Sequence, residues 1–242
     1  MKSTIFLKTF LVLFTLFIKI GDVFAACTTL NGMQILKGSP SYNCLEMDGS
    51  LTFDKLTVAT FFKVDGTAMG KELVCQSFEA NGALDLQKMR SNTDNKPVEN
   101  GVVYGALSAK DVFVSSLKVE GACSLENSKI ETLEVAGAFL ADQVDVSKEA
   151  KISGALDATK SKFSSLEIQS TDVVLRDCDV TSDIFIKKDP KDKEQVLKLK
   201  GHTKVLGKIT FESGKGTLDV DSTVELKNEV AGALKGQKTS KN

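Results

Sequence analysis

Leu117-Lys118-Val119-Glu120-Gly121 is echoed at Leu133-Glu134-Val135-Ala136-Gly137 and again at Ile152-Ser153-Gly154, an aliphatic residue, any residue and then glycine. Working outward, the same triplet stands at Met47-Asp48-Gly49, Val64-Asp65-Gly66, Ala80-Asn81-Gly82 and Val103-Tyr104-Gly105, and Ile168-Gln169-Ser170 closes the series with serine for glycine. Successive steps between the third residues are 17, 16, 23, 16, 16, 17 and 16. A period this regular marks a stacked repeat.

The columns inside the repeat keep their character. The residue after the triplet is small (Ser50, Thr67, Ala83, Ala106, Ala122, Ala138, Ala155), and the next is mostly a core former (Leu51, Leu84, Leu107, Cys123, Phe139, Leu156). Segments such as Ser116-Leu117-Lys118-Val119-Glu120 alternate apolar and polar, the two-residue period of a half-buried strand. Such short strands cannot bury a face alone. Stacked in parallel about 4.8 Å apart, they bring like residues together inside one coil. The pattern predicts an all-β, single-stranded parallel β-helix, a solenoid of about 16–17 residues per turn, over residues 47–232. The extra residues within 87–100 and the charged stretch 187–195 read as side loops. A leucine-rich repeat would need 20–29 residues and its own Leu/Asn pattern.

The ends read differently. Lys2 and Lys8, the apolar run from Phe10 to Ile18, and Val23-Phe24-Ala25 predict a signal peptide over 1–25 with cleavage after Ala25. Phe24-Ala25-Ala26-Cys27 also loosely matches a lipobox, which would make Cys27 an acylated first residue. Otherwise Cys27 and Cys44 are placed to form a disulfide that staples an N-terminal cap over 26–46. Cys75 and Cys123 fall in apolar columns and read, with Cys178, as core filler. Residues 233–242 read as a disordered tail.

Removing Lys2, Lys8, Lys19 and Asp22 with the leader takes Lys plus Arg from 31 to 28 and Asp plus Glu from 32 to 31, a net charge of −3. That balance argues against nucleic acid as a partner. None of the nine asparagines heads a glycosylation sequon, which favours a bacterial origin.

Catalytic constellations are sparse. His202 is the one histidine, and no nucleophile elbow or phosphate-binding loop is present. The expectation is a non-enzymatic protein without cofactor or metal. Asp172, Arg176, Asp177, Asp179 and Asp183 crowd the turn where Ser170 replaces glycine and form a candidate ligand face. Stacked acids of this kind could hold calcium for a polysaccharide lyase, but neighbouring turns contribute few matching acids, and outward-facing charges explain the pattern.

The triplets at Val119, Val135 and Ile152 resemble those of the bactofilins, a family of polymer-forming bacterial cytoskeletal proteins. The resemblance covers residues 47 to about 186. It implies a right-handed, triangular β-helix that joins end to end, without catalytic site or nucleotide. The sequence therefore predicts an exported structural or surface-binding protein of the cell envelope, periplasmic or secreted, and an outer-membrane lipoprotein if Cys27 is acylated. Its partners would be an envelope polysaccharide or protein, or further copies of itself. Polysaccharide binding or processing, and a bactofilin-like polymer subunit, are the alternatives.

Overall fold

Val119 pairs with Val103 on one side and Val135 on the other. In the computed structural model this file runs without a break through Leu30, Met47, Val64, Ala80, Val103, Val119, Val135, Ile152, Ile168, Ile186 and Phe211, one residue from each turn. The structure describes residues 27–234 and the backbone of 238–240, so the expected leader lies outside the described residues. Among these residues there is no helix, and every named strand pairing is parallel. The chain is a β-solenoid, as its period predicts.

The N-terminal strands are long: β1 (Thr28–Leu36), β2 (Ser41–Tyr42), β3 (Leu45–Val58), β4 (Phe61–Val74), β5 (Ser77–Arg90) and β6 (Val98–Lys110). In β1, Leu30-Asn31-Gly32 lies in register with Met47-Asp48-Gly49. The segment expected as a cap is thus the first turn of the coil. Cys27 and Cys44 close it as a disulfide with a Cα–Cα distance of 4.5 Å. Closing a loop of this size stabilises the fold by roughly 3 kcal/mol in the chain-entropy model.

Glycine is required at the bend by its neighbour one turn away. Gly121 has φ +147°, and a Cβ there would overlap the carbonyl oxygen of Gly105. The same clash recurs from Gly49 to Gly154, so each glycine lets the next turn descend onto it. A second bend is built differently. Asp111, Asn127, Gln143, Lys160 and Asp177 all have φ between 46° and 56°. Just after this bend the buried Ser128, Ser161 and Thr203 turn their hydroxyls to backbone: Val112, Val144 and Cys178 N–H donate to them at 3.3, 3.1 and 3.2 Å. Amides that miss the ladder are thereby satisfied.

The core is one continuous column of Leu, Val, Ile, Phe and Ala. Cys75, Cys123 and Cys178 are buried in it as free thiols. Gly101 leaves a gap that the Phe78 ring fills. The longer steps in the period are side excursions at 91–97 and 187–195. Asn92 Nδ2 pins the first by donating to the Val58 and Ala59 carbonyls. Beyond residue 170 the strands shrink to between two and five residues. A last strand, Lys238–Ser240, runs beside Thr217–Asp221.

Candidate functional site

The glycine bend leaves a furrow on the outside of the coil. Its floor is the small-residue column, Ser50, Thr67, Ala83 and Ala106 in register, continued by Ala122 and Ala138. One wall is the next outward column: Thr52, Met69, Asp85, Ser108, Ser124 and Leu140. Together they enclose a groove of about 690 Å³. From Ser50 to Ala138 it crosses five intervals of stacked strands, roughly 24 Å.

Large apolar side chains gather on it. Met69 and Leu140 stand more than half exposed on its wall, at 59% and 54%. Met33 and Ile35 carry the floor and wall columns into the first turn, in register with Ser50 and Thr52. Tyr104 projects beside Gly105 on the opposite side of the floor. Among the described residues only Leu234, of the large exposed apolar side chains, lies elsewhere. On the wall Asp85, Ser108 and Ser124 stand between Met69 and Leu140, and the alanines of the floor supply the apolar surface that joins them.

The floor carbonyls are engaged. The carbonyls of Ala122, Ala138 and Ala155 accept from Leu107, Cys123 and Phe139 N–H at 2.9, 2.8 and 2.8 Å. Ser50 and Thr67 hydroxyls bond each other at 3.1 Å. Beneath the floor, burial pushes the Cys123 thiol up to about 12, so it offers no thiolate to the groove.

At its C-terminal end the furrow meets the loop 187–195. Gly154, Ala155, Ser170 and Asp172 face Asp189, Pro190, Lys191 and Lys193 across a second hollow of about 300 Å³. This loop is held in place. Lys187 pairs with Glu167 at 2.5 Å, and Lys188 and Lys215 bracket Asp192 at 3.3 and 3.1 Å. Hydrogen bonds from Lys215 and then Lys188 lower the Asp192 pKa. Buried Gln195 donates to the Ser170 and Lys187 carbonyls, and its Oε1 has no partner.

The candidate face predicted from sequence does not converge. Asp172 lines the hollow and pairs with Lys198 at 2.8 Å. Arg176 reaches Asp157 at 3.5 Å beside Leu140. Asp177 sits on the bend and accepts from His202 N–H at 2.8 Å. Asp179 lies on the following strand, and Asp183 accepts from Lys208 N–H at 2.8 Å. No group of three or more metal-ligating side chains occurs among the described residues. His202 is exposed, its Nδ1 3.6 Å from Asp177 Oδ1. The groove itself went unnoticed in the sequence, although its floor column was visible there as a run of small residues.

No protein-family description, curated protein or solved structure matches this chain.

Proposed function

We propose that this protein is an exported, non-enzymatic β-solenoid that acts as a structural or surface-binding element of the bacterial cell envelope and binds through its long outer groove. The observation that carries the reading is an outer groove floored by alanines, with Met69 and Leu140 exposed on its wall. The signal-like residues 1–25 support export. A glycan-processing reading gains less support, because the acids it would use are dispersed around the coil and several are engaged by lysines or backbone N–H groups.

The test is cosedimentation of the purified exported protein with isolated cell envelopes. Wild type should pellet with them. Met69→Gln and Leu140→Gln, both on exposed wall positions, should leave at least half of the protein in the supernatant. Equal pelleting of wild type and variants would overturn the groove as the binding surface. Intact mass should start at Ala26 with one disulfide; an acylated Cys27 would leave Cys44 as an additional free thiol.

A further inference from the structure

We propose that the groove holds the hydrocarbon chain of a single-chain anionic amphiphile, a long-chain fatty acid, with its carboxylate at the Lys191–Lys193 loop. This deepens the binding role just proposed and rests on it.

The chemistry of the floor selects the tail. An extended peptide would need acceptors for its own N–H groups, and the carbonyls of Ala122, Ala138 and Ala155 are already bonded. A sugar would bring hydroxyls to the same alanines. Polar groups lying unpaired on an apolar surface lose hydrogen bonds they had in water. A hydrocarbon loses none. Its length also fits. Ala83, Ala106, Ala122, Ala138 and Ala155 span four strand intervals, roughly 19 Å. Half of a ~30 Å hydrocarbon core, the depth filled by one acyl chain in a leaflet, is about 15 Å.

Charge sets the direction. Asp48 and Asp65 flank the N-terminal part of the floor and Asp85 stands on its wall. At the other end Lys191 and Lys193 line the hollow and make no ion pair among the described residues. Of the acids near them, Asp189 accepts the backbone N–H groups of Lys191 and Lys193 through Oδ1 at 2.8 and 3.3 Å, and Asp172 pairs with Lys198. The mouth therefore presents two ammonium groups without an ion pair, beside the Asp189 carboxylate, next to the end of an apolar track. A carboxylate there gains charge-assisted hydrogen bonds.

The test is displacement of a fluorescent fatty acid from the intact exported protein by octanoate, dodecanoate, palmitate, hexadecanol and hexadecyltrimethylammonium. Affinity should rise with chain length by roughly two- to fourfold per methylene, and level off once the alanine run is filled. Palmitate should bind at least fivefold tighter than hexadecanol and the cation weakest. Ala122→Gln, which fills the floor from an exposed position, should weaken palmitate at least tenfold. If that variant misfolds by circular dichroism, Met69→Gln takes its place. Lys191→Ser with Lys193→Ser should weaken palmitate at least fivefold and leave hexadecanol unchanged. Absence of saturable palmitate binding, or equal loss of palmitate and hexadecanol in the lysine variant, overturns the proposal. If envelopes still pellet wild type and not the wall variants while palmitate fails to bind, the ligand class is wrong and the binding role stands. If neither is groove-dependent, both fall.

Discussion

Residues 28–154 and residues 172–231 build the same coil by different means. In the first stretch β3 to β6, of 13 or 14 residues, run through the glycine bend without leaving the ladder. From Phe113 on the strands stop at the bend, at Val119, Val135 and Ser153, and resume at Cys123, Phe139 and Leu156. Turns repeat every 16 or 17 residues, apart from the excursion at 91–97. In the second stretch the register steps are 24 or 25 residues and then 21. The added backbone leaves the sheet, and side chains hold it. Asp177 caps His202 N–H, Asp183 caps Lys208 N–H and Asp221 caps Gly201 N–H, while Asn228 reaches the Leu206 carbonyl. The first stretch turns on glycine at one bend and on the Ser128 and Ser161 hydroxyls at the next, whereas the added backbone of the second stretch is held by the Asp177, Asp183 and Asp221 carboxylates.

The largest expected effect breaks the first region at its bend. Gly121→Ala places a methyl group into the Gly105 carbonyl at a φ that alanine rarely adopts. Both turns must part, with an expected loss of about 3 kcal/mol or more in urea unfolding. Gly214→Ala is the control from the second region. Its φ is +67° but nothing lies within 4 Å, so only backbone strain of about 1–2 kcal/mol is expected. Equal losses would mean the glycine file is not what permits stacking.

The core gives the next contrast. Leu133 is fully buried, and Leu133→Ala should cost about 2–5 kcal/mol. Leu226, in the last turn, is only partly buried. Leu226→Ala should cost about 1 kcal/mol or less, because its site is already open to water and leaves little cavity.

How far these differences were legible depends on what each residue contacts. The inward files were readable because burial demands apolar side chains at a fixed period, and the bend because only glycine fits under a carbonyl. Leu30-Asn31-Gly32 was hidden by Met33, which is apolar where the following turns carry small residues. The second bend has no residue signature: Gln143 and Lys160 hold the same backbone shape as Asn127. Ser128, Ser161 and Thr203 look like surface residues until the amides they satisfy are seen. The acids 172, 177, 179 and 183 are near in sequence, but one turn of a coil passes round a corner within that length. Nothing in the alternation of Ala with Leu or Phe says that the alanines form the bottom of a groove.

The buried thiols report on both regions at once. Burial raises Cys75 and Cys123 to about 12 and Cys178 to about 11. At pH 8 the native protein should show no reactive thiol, and three on unfolding with the disulfide intact. In urea below the main transition, Cys178, at the start of the weaker region, should label before Cys75 and Cys123. Simultaneous labelling would show that the coil opens as one unit. An unfolded thiol titrates near 9.0, below its folded value, so the unfolded state releases its proton first. Stability should hold below pH 9 and fall as the pH climbs from there toward 12.

A smaller effect separates the corners. Ser161→Ala removes the acceptor of Val144 N–H in a buried place and should cost about 1–3 kcal/mol in urea unfolding. The acid response of the second region should be smaller still, because its ion pairs are solvated. The Gly201 N–H, then Lys200, lowers the Asp221 pKa from 3.8. Its contribution is therefore present above the unfolded value and lost as the pH falls through the lower folded one. In the first region the bend carboxylates of Asp65 and Asp111 accept from the side-chain amides of Asn81 and Asn127, and among the described residues of 28–154 no carboxylate accepts from a backbone N–H, so backbone protection at its bends should not respond to pH. Hydrogen exchange compared at pH 5 and pH 3 should, after correction for intrinsic rates, show protection lost at Gly201 and in the strand Val196–Lys200 while β3 to β6 are unchanged. Asp221→Asn should abolish that difference, since an amide oxygen accepts the same bond at either pH. If protection instead falls uniformly, the polar corners are not what distinguishes the two halves, and the shorter strands alone set the difference.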